Sequence, residues 1–188
     1  MANIFFTADL HLGHTRIIEY CKRPFSSIGE MDEVIINNWN SVVRDLVDVV
    51  YVLGDFCFGS TEQTEKYIRR LNGTKIFLQG SHDKGLLSLI RKKPGFVLFK
   101  GYMYVLKVQG AQFTHEITLN HYSMRTWPKS HYNTWHLYGH SHGKLEGWGK
   151  SFDVGVDAWN FYPVSLEQVE KEMDKLPDNF NLVNKEVR

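Results

Sequence analysis

The stretch VVYVLGDF, residues 49–56, is a short β-rich run ended by a glycine and an aspartate. It reads as a strand that stops abruptly and delivers a carboxylate at its end. NIFFTA (3–8) and KIFLQ (75–79) repeat the design: Asp9 and His11 follow the first, Gly80 and Ser81 the second. Helical patterns lie between them. The first has Met31, Val34, Ile35, Trp39 and Val42 on one face behind a capping-box pattern, Ser27-x-x-Glu30. The second has Ser60-x-x-Gln63 ahead of Tyr67, Ile68 and Leu71, with Gly73 as its stop. A C-terminal helix carries Ser165 and Gln168 as capping box, Val164 and Val169 as hydrophobic staple, and a stripe of Leu166, Val169, Met173 and Leu176. All three stripes are packing surfaces.

From about Phe96 the pattern turns to strands: FVLF, YMYVLKV and AQFTH around a turn at Gln109 and Gly110, then EITLNH, WHLYGH and SFDVGV. The first half reads as βαβαβ and the second as mostly antiparallel β. Together they predict a layered α/β sandwich and not a single doubly wound sheet. With 188 residues, no repeat and no linker, the chain is expected to form one domain over 1–188, its polar end from 176 to 188 loosely held.

The 22 Lys and Arg nearly balance the 21 Asp and Glu, so no net field recruits duplex nucleic acid or an anionic membrane, and phosphate recognition must be local. The apolar runs fall far short of the ~20 residues of a membrane helix. The N-terminus lacks a basic n-region, so a cytoplasmic location is expected. Cys21 and Cys57 form no paired framework and are expected to be small buried hydrophobes.

Metal-capable side chains gather just after the predicted strands: Asp9 and His11, Asp55, GSHD (80–83), His121, and His140 and His142 in YGHSHG. Strand ends are the edge of an open α/β sheet where binding sites form. Carboxylate with imidazole suits divalent transition metals, and a carboxylate such as Asp55 can bridge two ions in a hydrolytic site. Any one piece alone is more simply a turn or a surface imidazole; their joint occurrence is what points to a site.

In this order, DLH, GD, GSHD, a lone His and GHSH, the residues resemble the calcineurin-like metallophosphoesterase superfamily over about residues 3–160. DLHLGHTRIIEYCKRPF, MDEVIINNWNSVV and VGVDAWNFYPVSLE are similar to its compact bacterial and phage members without a capping domain. The resemblance implies two facing mixed sheets flanked by helices in four layers. It implies one metal held by Asp9, His11 and His142, a second by Ser81, His121 and His140, and Asp55 bridging. The ions would be manganese foremost, or Fe, Zn, Ni or Co. The implied reaction is hydrolysis of a phosphodiester or small phosphoester, including nucleotide-type substrates, by a metal-bridging hydroxide. His82 would assist the leaving group and Asp83 would orient His82.

Three departures shape the expectation. GDFCFGS (54–60) lacks the arginine that protein phosphatases of the superfamily carry after the bridging aspartate. Ser81 stands where the family has asparagine, so the second site is expected to be weaker. The chain is also too short for the added regions of DNA-repair nucleases. The second reading is a metal-binding scaffold of the same fold with little or no turnover. His14, Arg16 and Arg125 are read as phosphate contacts or as solvated loop residues. SMRTWPKSHYNTW (123–135) is read as a base-stacking loop or as a rim with packed tryptophans.

Overall fold

A computed structural model describes residues 2–44 and 46–183. The elements in order are β1 (Ile4–Thr7), α1 (Arg16–Tyr20), α2 (Ile28–Val42), β2 (Val49–Val52), α3 (Thr61–Arg70), β3 (Thr74–Phe77), α4 (Lys84–Lys92) and β4 (Leu98–Phe99). There follow β5 (Met103–Gln109), β6 (Thr114–Asn120), β7 (Trp135–Tyr138), β8 (Ser151–Asp153), β9 (Val164–Ser165) and α5 (Leu166–Lys175). The protein is α/β, with two mixed sheets flanked by helices. One sheet runs β4-β3-β2-β1-β9, parallel except for β9, and the other runs β5-β6-β7-β8.

Side-chain alternation sorts the core into two layers. Phe5, Val50, Val52 and Phe77 face α1 to α4, where Ile17, Met31, Ile35, Trp39, Ile68 and Leu86 complete one cluster. Their neighbours Phe6, Tyr51 and Leu53 face the second sheet, meeting Leu106, Ile117, Leu119 and Leu137, with Val169 and Met173 of α5 at the same core. The register puts Phe6 opposite Tyr51, and their rings stack at 5.7 Å.

Helix starts follow the capping chemistry. Ser60 with Gln63 and Ser165 with Gln168 form complete capping boxes, each substitution of such a cap by alanine costing ~1 kcal/mol. At α2 only half of the box forms. Ser27 accepts from the Glu30 N–H, but the Glu30 carboxylate turns to the N–H and hydroxyl of Ser26. On the expected face of α2, Val42 is exposed, and Ile36 is buried in addition.

Several expectations change. The second sheet is not mostly antiparallel: β5 and β6 form a hairpin, but β6–β7 and β7–β8 are parallel. The connections 121–134 and 139–150 are crossovers, and an apolar pattern specifies which face is buried, not strand direction. AQFTH and EITLNH merge into β6, with the hairpin closed by Gly110 N–H donating to Phe113 O. The outer face of the second sheet, marked by buried Thr118 and His136, carries segment 121–134 with its short 3-10 turn Ser130–Tyr132 and, among the described residues, no α-helix. Cys57 is buried as expected, whereas Cys21 is half-buried.

Nor is the chain loose through 183. Asn179 is buried and donates to Ser130 O and Thr134 O, and Val183 N–H donates to His131 O. The rest of the expected tail, 184–188, lies outside the described residues.

Candidate metal centre

The carboxyl ends of β1, β2 and β3 in one sheet and of β6 and β7 in the other converge, and every predicted ligand position leaves one of these ends. Backbone bonds lock the loops together: Asp9 N–H to Gly54 O, His11 N–H to Asp55 O, and Gly139 N–H to His121 O. Glycines permit the approach. Gly54 has φ +95°, and a Cβ on it would lie 2.6 Å from the Gly80 backbone. On Gly80 a Cβ would strike the Asp55 backbone and carboxylate.

Among the described residues three groups of three have ligand atoms within 4.8 Å of one another: Asp9, His11 and His142; Asp55, His121 and His140; and Cys21, His142 and Asp157, of which the first two consist of predicted ligands. Asp55 Oδ2 lies between these two, 3.6 Å from His11 Nε2 and 3.5 Å from His121 Nε2. Asp9 Oδ1 is 4.0 Å from His121 Nδ1. Asp9, His11, Asp55 and His121 are buried, His142 is half-buried and His140 is exposed. Asp9, His11, Asp55, His140 and His142 all adopt left-handed backbone, with φ between 50° and 67°. Such strain in non-glycine residues concentrates at functional sites.

Hydrogen bonds fix which nitrogen is free in two of the rings. His121 Nδ1 lies 2.8 Å from Leu53 O and His142 Nδ1 2.7 Å from Asp157 Oδ2. Each Nδ1 therefore carries the proton it donates, leaving the Nε2 lone pair for another partner. Asp9 Oδ1, His11 Nε2 and His121 Nε2 are buried and have no hydrogen-bond partner. Buried polar atoms without a partner are costly, and a divalent cation would satisfy this set of imidazoles and carboxylates. The residues present fit such an ion.

Electrostatics agree. Burial pushes the Asp9 carboxyl up to about 7 and the His11 ring down to about 3. Burial opposes ionisation of Asp55 as well, but His121 beside it and the His82 N–H hold it well below the usual carboxylate range. His121 responds in the opposite sense: burial disfavours its charged form, yet Asp55 and Asp9 raise its pKa overall.

Ser81 sits at the expected place, but its hydroxyl donates to Asp55 Oδ2 at 3.0 Å. His82 is exposed beside the cluster, its ring 5.6 Å from that of His11, and its N–H donates to Asp55 Oδ1. Asp83 departs from expectation. Its carboxylate is buried and accepts from the N–H groups of Asp55, Phe56 and Gly80. With three backbone donors to satisfy, it holds the Asp55 turn instead of orienting His82.

Sequence reasoning missed Asp157 and Arg23. Arg23 is buried, donates to the carbonyls of Asp9 and Leu10, and pairs through Nε and Nη2 with Asp157, which also holds His142. Asp153 likewise went unnoticed; it pins the His140–His142 loop through Ser141 Oγ and Gly143 N–H. His142 and its partner Asp157 stand fifteen positions apart, too far for the pairing to be read from the sequence. His14 and Arg16 line the cleft, whereas Arg125 stacks on Trp148 and Phe180. Trp127 is buried and Trp135 lies flat on His115 at 3.8 Å, so these tryptophans are packed.

Fold and site together define an α/β protein with a two-part cluster of imidazoles and carboxylates at the shared edge of two sheets. The chain is 32% identical over 184 residues to the uncharacterized protein MJ1445 of Methanocaldococcus jannaschii, covering 93% of each, and it belongs to the family of that protein. It is 37% identical over 87 residues to the gene 66 protein of Mycobacterium phage L5, covering 44% of this chain and 41% of that one. The crystal structure of AQ665 from Aquifex aeolicus, a protein of unknown function, matches with a TM-score of 0.68 and 25% identity, covering 93% of this chain and 99% of that one. No family model matches the chain. No helix among the described residues is long and apolar enough to cross a membrane.

Proposed function

We propose that the protein is a metal-dependent phosphoesterase of the calcineurin-like type, acting on a phosphodiester or small phosphoester. The observation that carries this reading is the pair of three-residue groups meeting at Asp55 Oδ2, with three of their buried ligand atoms lacking any hydrogen-bond partner. Asp9, His11 and His142 would hold one divalent transition ion, and His121 and His140 a second, with Asp55 shared. Manganese is the first choice. Bound ions supply Lewis-acid polarisation of the phosphoryl oxygens and acidify water.

The chain's own residues prepare that chemistry. Asp157 and Leu53 O hold the His142 and His121 rings with Nε2 turned inward. The Asp83 carboxylate fixes the turn that presents Asp55. His82, exposed on the cleft, can donate a hydrogen bond or proton to the departing oxygen. The absence of an arginine in GDFCFGS leaves the Asp55 loop without a grip for a monoester dianion, which favours diesters.

Hydrolysis of bis-p-nitrophenyl phosphate with added manganese tests the proposal. It should fall at least a hundredfold in Asp55→Ala and about a hundredfold in His82→Ala, the typical worth of a positioned proton donor. Activity unchanged in both variants overturns it. One observation favours a scaffold with little turnover: the Ser81 hydroxyl is committed to Asp55. Tight metal binding without hydrolysis across several metals would establish that second reading.

A further inference from the structure

One wall of the cleft beside the cluster is aromatic. Phe58 is 50% and Tyr20 59% exposed, although both line a cavity of about 660 Å³. The His14 ring stacks on Phe58 with centroids 4.4 Å apart and planes 21° from parallel. His82 meets Phe58 edge-on at 6.0 Å, and Tyr20 meets His14 edge-on at 6.4 Å. The rings thus run unbroken from the outer lip to the residue placed at the leaving group. Arg16 and Lys144 are exposed on the same cleft, and Asp55, which belongs to the inner cluster, is the one carboxylate among its lining residues.

A volume of this size suits a small organic ligand held by apolar contact and a few polar groups. Half-exposed aromatic rings beside a cationic rim complement a ligand that is planar at one end and anionic at the other. Phe58 gains little burial where it stands, so packing does not account for it.

We infer that Phe58, backed by His14, is a binding subsite for a planar aromatic ring carried by the phosphoester, a nucleobase or an aryl group, with the phosphate turned toward the Asp/His cluster. The inference takes the phosphate end from the proposed function and adds the recognition of the other end. The tryptophans at 127 and 135 are packed and leave this wall as the stacking surface of the cleft.

Calorimetric titration of the metal-loaded protein with AMP, phenyl phosphate and ribose 5-phosphate tests it. Both ring-bearing ligands should bind about tenfold more tightly than ribose 5-phosphate, the usual scale of one aromatic stack. Tighter binding of AMP than of phenyl phosphate would identify the ring as a nucleobase; equal binding would identify it as any aryl group. Phe58→Ala should abolish the preference and leave ribose 5-phosphate unchanged, while Phe58→Trp should keep it. Equal binding of all three ligands, binding of none, or a preference that survives Phe58→Ala overturns the inference. Bis-p-nitrophenyl phosphate hydrolysis by the same wild-type preparation separates the two ideas. Hydrolysis without ring preference defeats the subsite alone. Ring preference without hydrolysis defeats the phosphoesterase alone.

Discussion

Acid should destabilise this protein through one histidine that lies outside the candidate site. His136 is fully buried on the outer face of the second sheet. Its Nδ1 is 3.0 Å from Thr118 O and donates to it, and its Nε2 accepts from the Met124 N–H at 3.2 Å. Both nitrogens are satisfied in the neutral ring. A second proton would bury a charge, a cost that the Thr118 and Tyr122 backbone offsets only in part. Burial accordingly lowers the His136 pKa from 6.5 to about 4. Because the folded value lies below the unfolded one, the unfolded chain takes up the proton first as pH falls. The contribution is full above about 6.5 and is lost progressively toward 4. A difference of about 2.5 units corresponds to roughly 3 kcal/mol in total, of which about 2 kcal/mol is lost between pH 7.5 and 5.

The assay is urea unfolding followed by circular dichroism, in chelator, at those two pH values. Wild type is compared with His136→Gln, which cannot acquire charge. The variant should be less stable at pH 7.5 by about 1–3 kcal/mol, since it disturbs two buried hydrogen bonds. Other titrating groups are common to both proteins and cancel in the comparison. Wild type should therefore lose about 2 kcal/mol more than the variant on acidification. Equal losses would refute the argument that His136 is buried in the neutral form.

Three other outcomes follow from the site. Ser81→Asn frees Asp55 from the serine hydroxyl and supplies a carbonyl oxygen, so the second metal equivalent should bind more tightly and turnover rise, as read by metal titration and by diester hydrolysis. Asp157→Asn should weaken metal binding about 10- to 100-fold, the usual effect of losing the carboxylate behind a ligating histidine, in a titration of manganese affinity. Gly54→Ala places a Cβ 2.6 Å from the Gly80 backbone at φ +95°; it should lower the unfolding free energy on the order of 3 kcal/mol, and a loss below about 1 kcal/mol would count against the close approach of these loops.

The ligand candidates were legible because each ends a strand, and strands that end in Asp or His keep that order in the sequence. The helix caps at Ser60 and Ser165 were legible because a capping box is local, four residues long. What stayed hidden is non-local or directional. Arg23 and Asp157 meet across 134 positions, and neither residue type announces a buried ion pair. Asp83 adjoins His82 in the sequence, which suggests pairing; the turn at Gly80 sends its carboxylate to the Asp55 backbone instead. The parallel course of β6, β7 and β8 has no periodicity that distinguishes it from antiparallel.

The backbone of the centre links its strain to its chemistry. Left-handed conformation costs a non-glycine residue roughly 1–2 kcal/mol, and five of the candidate ligands adopt it. Asparagine and glycine would relieve that strain at each position, but neither would offer a carboxylate or an imidazole there. The same loops leave three ligand atoms buried without partners, a second cost in the same place. A fold selected for stability alone would remove both by substitution. Their joint presence at the meeting point of two sheets, held by Asp83, Asp153 and Asp157 from behind, accords with the proposed cation site, where binding of the ion would offset the strain and desolvation.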